Sequence, residues 1–379
     1  MSAPLPFTNL VVLELASVLA GPSVGQFFAE LGAEVIKVEN STTGGDVTRS
    51  WKTTGEETDD RSAYFCSCNW GKKSIALDLR LEADREKVLK LAARADIVVA
   101  SYKPGDAEKL GVGYEQLKIR NEKLIYGQIN GYGSDDDRAG YDAVIQAESG
   151  FMDLNGEKGG LPTKMPVALI DVLAAHQLKE GLLVALLKRE KSGQGCLVEV
   201  SLIQTAIASL VNQATNWLVA GKLPTRQGSA HPNIAPYGET FTTKDSKQLI
   251  LAVGSDRQFE LLLSVPGLGM DQKEEAQYAT NSDRVRNRES LTKILSKSIG
   301  EQNANVLLPA LHRLKIPAGL VQNVKDVLET PAAKSLLMTR GGIRGVRAFV
   351  GMDAADIVSL SPPPHLGEHA DEILKLISE

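Results

Sequence analysis

Residues 10–38 read LVVLELASVLAGPSVGQFFAELGAEVIKV, and this stretch decides the fold. Leu10–Leu15 is a short apolar strand. Ala16–Pro22 is a loop, and Pro22 suits the first turn of a helix because its missing N–H and fixed φ cost nothing there. The helix runs to about Leu31, and Gly32 stands where a left-handed C′ glycine belongs. Val35–Val38 is the second strand. The same alternation continues outward. Ser74–Leu79 is a strand, Ala83–Ala95 a charged helix, and Ile97–Ala100 and Leu124–Ile129 are further strands. Strands separated by helix-length segments imply a parallel sheet with crossover helices, hence an α/β domain of Rossmann-like type. In such sheets ligands bind beyond the strand C-termini. The loops at Ala16–Pro22, Ser101–Gly105 and Asn130–Asp142 are therefore expected to lie near one another.

Beyond Leu202 the character changes. Gln204–Val219 reads as one long, mostly apolar helix. Leu223–Gly238 is rich in Pro, Gly and Asn and reads as a loop. Gln248–Val253 and Ala318–Val321 are strands, and Arg284–Ile299 and Asn303–Leu314 are amphipathic helices. From Gly341 the chain is expected to be irregular until a closing helix at His369–Ser378. The reading divides the chain into a large α/β domain over residues 1–203, a bridging helix and linker over 204–225, a smaller α+β domain over 226–335, and a return to the large domain over 336–379.

Composition excludes several classes. The net charge is −5, so there is no basic field for nucleic acid or anionic lipid. No apolar run approaches the ~20 residues that span a bilayer. The start, MSAPLPFTNL, lacks the basic and apolar regions of a signal peptide. Cys66, Cys68 and Cys196 are too few and too irregular for a disulfide framework, and a reducing cytoplasm is expected. Cys66 and Cys68 read as structural thiols, since no second Cys or His pair stands at zinc-finger spacing. After the first strand the glycine fingerprint of a dinucleotide site is missing, although Glu39 sits roughly where a ribose-binding acid would. There is no P-loop, no G-x-S-x-G elbow and no H-E-x-x-H.

One residue stands apart. Asp171 is the single charge in Met165–Ala175 (MPVALIDVLAA). An unpaired charge in an apolar run is costly to bury and needs a reason. It is either the N-cap of a helix beginning at Val172, or a catalytic carboxylate aimed into a pocket at a helix N-terminus.

Taken in order, the segments resemble the class III CoA-transferases, the CaiB/BaiF-like group of formyl-CoA transferase and carnitine CoA-transferase. The matching stretches include Val12–Pro22, Leu31–Glu39, Gly45–Trp51 (GDVTRSW), Asn69–Leu79, Tyr102–Tyr114, Gly140–Gly150 (GYDAVIQAESG) and Val167–Ala175. Later ones are His231–Tyr237, Ala252–Phe259, Ile316–Val324 and Leu366–Asp371. They span nearly the whole chain.

The resemblance implies a CoA-transferase that exchanges CoA between carboxylic acids, with Asp171 as nucleophile and an aspartyl-CoA thioester as intermediate. A helix N-terminus would keep that aspartate ionised, so cap and nucleophile are compatible. It implies coenzyme A or acyl-CoA as substrate and no tightly bound cofactor. CoA contacts are implied at Val18, Leu19, Ala20, Leu77, Arg80, Ser101, Tyr102, Lys103 and Lys109, with Tyr141 and Asp142 beside the thioester. Each has an ordinary alternative: Arg80 and Lys109 as solvated surface charges, Tyr102 as core. Asn40 and Ser101 depart from the family pattern. The acid-binding loop reads Ser229–Ile234, where His231 and Asn233 are candidates for the acceptor's carboxylate and favour dicarboxylic acids such as succinate. Both could equally be loop residues making local hydrogen bonds. The implied assembly is an interlocked homodimer of two ring-like chains. Two other activities compete. One is an α-methylacyl-CoA racemase, opposed by Tyr141, whose phenol is a poor base at neutral pH where that enzyme places His. The other is a non-catalytic CoA-binding protein.

Overall fold

The structure is a computed structural model that describes residues 5–349, 351 and 360–378. Six strands form one sheet: β1 (Val11–Leu15), β2 (Glu34–Asn40), β3 (Lys72–Leu77), β4 (Ile97–Ala100), β5 (Ile125–Asn130) and β6 (Leu197–Ser201). Their order is β3-β2-β1-β4-β5-β6 and every pairing is parallel. This is the doubly wound order, with the chain reversing direction across the sheet between β1 and β4. Alternation along each strand splits the core by face. Val12, Val35, Ile97, Val99 and Ile125 pack on the side of helices Ala20–Glu30 and Leu169–Ser192. Leu13, Ile36, Val98 and Tyr126 pack on the opposite side, with Val88, Leu91 and Ala92 of helix Glu82–Arg94. Both faces are covered, as a parallel sheet requires.

Contacts divide the chain into two compact units. One holds Met1–Phe151, Lys164–Val211 and Lys334–Glu379; the other holds Met152–Thr163 and Asn212–Ala333. The second unit carries an antiparallel sheet of β7 (Tyr237–Thr242), β8 (Gln248–Ala252) and β9 (Ala318–Leu320). Its core includes Phe241, Leu249, Phe259, Leu295 and Leu311.

Four sequence expectations need correction. Gln204–Val219 is not one helix. It divides into Leu202–Ala208 and Val211–Leu218, and Val211 stands at φ +45°, outside helical space. Arg284–Ile299 likewise divides, with helices at Asn281–Arg286 and Arg288–Gly300 on either side of Asn287. The stretch after Gly341 is not wholly irregular. β10 (Leu337–Arg340) and β11 (Ile343–Val346) form a hairpin whose two-residue turn is Gly341–Gly342, at φ +58° and +78°. Two adjacent glycines permit that turn because both positions need positive φ. Residues 350 and 352–359 of the same stretch lie outside the described residues. The sequence reading also passed over β6, the edge strand Leu197–Ser201.

The fourth correction concerns Asp171. Its helix begins at Leu169 with Ala168 as N-cap, so Asp171 sits inside the first turn and is not the cap. The cap function comes from another segment: Asp142 Oδ1 accepts the Ile170 N–H at 2.7 Å. With a carboxylate supplied from outside, the helix starts before its own aspartate. It then runs to Ser192 and ends at Gly193, φ +72°. Ile170, Ala174, Leu178 and Leu182 anchor it against the sheet.

Candidate active site

A cavity of about 220 Å³ lies at the C-terminal ends of β1, β4 and β5. Ser17, Val18, Ala20 and Gly21 line it after β1, and Ser101, Tyr102 and Lys103 after β4. The third wall is Asn130, Gly131 and the Arg138–Asp142 loop, and Asp171 completes it. The three loops expected to converge do so, at the switch point where α/β sheets bind ligands.

Asp171 is only 8% exposed, and its carboxylate makes no hydrogen bond among the described residues. The expectation that the helix N-terminus keeps Asp171 ionised is overturned: the Ile170 N–H goes to Asp142, and burial, then the charge of Asp142, push the Asp171 pKa up to about 7. Asp142 is held on both oxygens, Oδ1 by Ile170 N–H and Oδ2 by Gln146 Nε2, each at 2.7 Å. Gln146 in turn accepts the Met165 N–H at 2.8 Å, tying the segment that leads into the Asp171 helix. Two glycines shape the wall beside this pair. A Cβ on Gly140 would stand 2.2 Å from the Gly131 Cα, so the two backbones abut at a distance no side chain permits. Asn130 braces the turn from below, accepting the Gly133 N–H at 2.7 Å and donating to Glu199 at 2.6 Å.

Of the other residues singled out in the sequence, Val18, Ala20, Ser101, Tyr102, Lys103, Tyr141 and Asp142 share the cavity with Asp171. Leu77 and Arg80 do not. They line a neighbouring depression of about 270 Å³ that also takes in Asn40 and Tyr102. Arg80 is 68% exposed and paired with Asp78 at 2.9 Å. Lys109 is a 76% exposed partner of Asp106 and lines neither cavity. Leu19 is the N-cap position of helix Ala20–Glu30 and is likewise not among the lining residues. His231 and Asn233 belong to the second unit. There His231 Nδ1 accepts the Asn233 N–H at 3.1 Å, and Arg288 donates to the His231 carbonyl at 2.6 Å.

Three residues escaped sequence reasoning. Gln146 carried a signal, since it stands four positions after Asp142 on one helix face. Tyr64 did not. Burial is the main force that pushes its phenol up to about 12, and Asp171's charge adds to it. Arg138 lines the cavity with its guanidinium 3.7 Å from the Tyr132 ring centre, paired to Asp136 at 2.9 Å. Cys66 and Cys68 are not rival nucleophiles, because burial pushes both thiols up to about 11. Among the described residues, no histidine lines the cavity for two-base proton transfer.

The arrangement can present a buried, basic carboxylate to an electrophile entering at the switch point. Comparison with known proteins gives that chemistry a class. Residues 7–370 match the family model of CoA-transferase family III, and the chain belongs to that family. It is a transferase whose substrates are CoA thioesters. A succinate–glutarate CoA-transferase of Agrobacterium fabrum is 38% identical over 383 residues, covering 97% of this chain and 95% of that one. A human succinyl-CoA:glutarate CoA-transferase is 34% identical, over 98% of this chain and 85% of that one. Among solved structures, a CaiB/BaiF family protein from Brucella suis superposes with a TM-score of 0.88 at 39% identity, covering 99% and 100% of the two chains.

Proposed function

We propose that the protein moves CoA between dicarboxylic acids through a covalent intermediate on Asp171. The single observation that carries this is the Asp171 carboxylate itself: buried, without a hydrogen bond, raised in pKa, and lining the switch-point cavity. A carboxylate stripped of water and hydrogen bonds is a stronger nucleophile than a solvated one.

An Asp171 oxygen attacks the thioester carbonyl carbon of the donor acyl-CoA. The C–S bond breaks, CoA leaves as thiolate, and an acyl–aspartyl anhydride remains. The thiolate attacks the Asp171 Cγ, the C–O bond breaks, and the donor acid departs as its carboxylate. The acceptor's carboxylate then attacks the aspartyl-CoA thioester, and the same two steps in reverse return Asp171 free. One thioester replaces another, so no ATP is consumed. Asp142 and Gln146 orient the helix start from which the Asp171 carboxylate lines the cavity.

The relatives named for succinate and glutarate support a dicarboxylate pair. Val18, Ala20, Ser101, Tyr102 and Lys103 would contact CoA. Arg80 would reach a phosphate from the adjoining depression. His231 and Asn233 remain our candidates for the acceptor acid, in an interlocked cytoplasmic homodimer that needs no resident cofactor.

The test is incubation with succinyl-CoA, acetyl-CoA and formyl-CoA against a panel of short acids, followed by intact mass after hydroxylamine trapping. Transfer with an adduct on the wild type, and none on Asp171→Ala, is expected. Full activity in Asp171→Ala would remove the nucleophile assignment.

A further inference from the structure

The loop between β1 and helix Ala20–Glu30 carries a strained residue. Val18 stands at φ +73°, and a β-branched side chain resists that region. Something must hold it there. Asp46 Oδ1 accepts the Val18 N–H at 3.3 Å, together with the Thr48 N–H at 3.0 Å and the Thr48 hydroxyl at 2.8 Å. Its other oxygen is 2.9 Å from Lys37 Nζ. Lys37 is fully buried and also donates to Glu14 at 2.9 Å and to the Ala16 carbonyl at 2.7 Å. Lys72 closes the lattice, meeting Glu14 at 2.8 Å and donating to the Pro22 carbonyl at 2.8 Å. Burial works to discharge Lys37, but Glu14, Asp46 and Glu39 outweigh it and hold its pKa above the ordinary value.

Buried ion lattices of this kind are poor stabilisers compared with apolar packing, so their retention asks for another reason. Here the lattice grips one continuous segment at the Ala16 carbonyl, at the Val18 N–H and at the Pro22 carbonyl in the first turn of helix Ala20–Glu30. Ser17, Val18, Ala20 and Gly21 of that segment form a wall of the Asp171 cavity.

We propose that Asp46, clamped by Lys37, is a positioning residue that holds Val18 left-handed and so keeps the Ala16–Leu19 loop and the helix start after it shaped to receive acyl-CoA. The inference rests on reading this cavity as the acyl-CoA site. Asparagine cannot replace the carboxylate. If its oxygen faces Lys37, its NH₂ is set against the Val18 and Thr48 N–H groups; if it turns over, its NH₂ meets the ammonium. Glycine at position 18 would need no clamp, because it takes positive φ without strain.

The experiment is a double-mutant cycle on the full chain with Asp46→Asn and Val18→Gly, reading KM for acyl-CoA and kcat separately. In the Val18 background Asp46→Asn should raise KM about tenfold, the scale of a released left-handed strain, with kcat altered much less. In the Val18→Gly background the same change should raise KM no more than about threefold. An equal factor in both backgrounds would mean that Asp46 is merely structural, and no factor in either would mean that it is idle; each overturns the proposal. Should Asp46→Asn fail to fold, hydrogen exchange of the wild-type segment 13–27 decides. Protection already present in the free enzyme supports a preset loop. Protection gained only with CoA overturns it. A wild type that binds no CoA overturns the functional reading and this purpose for the loop together. That result is separable because it appears before any substitution.

Discussion

Asp171 sits where ionisation is unfavourable, and this has two consequences of opposite sign. For activity, the attacking form is the carboxylate, so kcat/KM for acyl-CoA should climb as pH rises through about 7. Asp142→Asn removes the neighbouring charge and should move that limb to lower pH; its oxygen keeps the Ile170 cap, while its NH₂ is set against the Gln146 NH₂ and lowers stability by about 1 kcal/mol. A pH–rate profile unchanged by Asp142→Asn would mean that burial alone sets the Asp171 pKa. For stability, an acid whose folded pKa exceeds its unfolded one weakens the fold as pH rises between the two values. Asp171→Asn should therefore stabilise the protein at pH 8 by up to about 4 kcal/mol, the equivalent of roughly three pKa units. The gain should shrink between about pH 7 and pH 4 and vanish below. Thermal melts of both proteins across that range would show it, and a constant difference would contradict the assignment of cause.

The cavity depends on how elements end. The Asp171 helix lacks a side-chain cap of its own and borrows one from Asp142, at the start of helix Asp142–Glu148. Those two helix starts are thus one unit, and the Gly131–Gly140 contact brings the intervening loop back to β5. Gly140→Ala would drive a Cβ into the Gly131 backbone, which cannot swing away as a side chain could. We expect a loss of about 1–3 kcal/mol, as for other overpacked sites, and a fall in kcat because Tyr141 and Asp142 shift with the loop. Gly221→Ala is the control. It carries positive φ, +62°, but has open space around its Cβ position, so it should lose stability through strain alone and keep kcat.

The assembled protein is expected to be an interlocked dimer that acts on dicarboxylic acids. Light scattering should report a dimer, and a monomer at assay concentration would count against the interlocked architecture. Succinate and glutarate should be better acceptors than acetate or formate by at least about tenfold in kcat/KM, since one paired carboxylate contributes on the order of 1.5–3 kcal/mol. His231→Ala with Asn233→Ala should erase most of that preference while sparing CoA binding, measured by calorimetry. Equal acceptance of mono- and dicarboxylic acids by the wild type would remove both the preference and the role given to these residues.

Much of this protein is written locally. The β-loop-α-β run at residues 10–38 has its helix N-terminal proline, its Gly32 at φ +100° and its alternating strands in the sequence itself, so fold class was legible without contacts. Asp171 was legible as well, because a lone charge in an apolar run is conspicuous wherever it ends up. Its partners were not. Asp142 lies 28 positions away in sequence from the N–H it caps, and no local signal links them. The left-handed turn at Val18 is equally hidden, since its residue type argues against it and only buried charges from β2, β3 and Asp46 impose it. Local propensity determined where strands and helices form. Long-range electrostatics and backbone contact, which exist only once the sheet is closed, decided which carboxylate caps, which one is left free, and what shape the cavity takes.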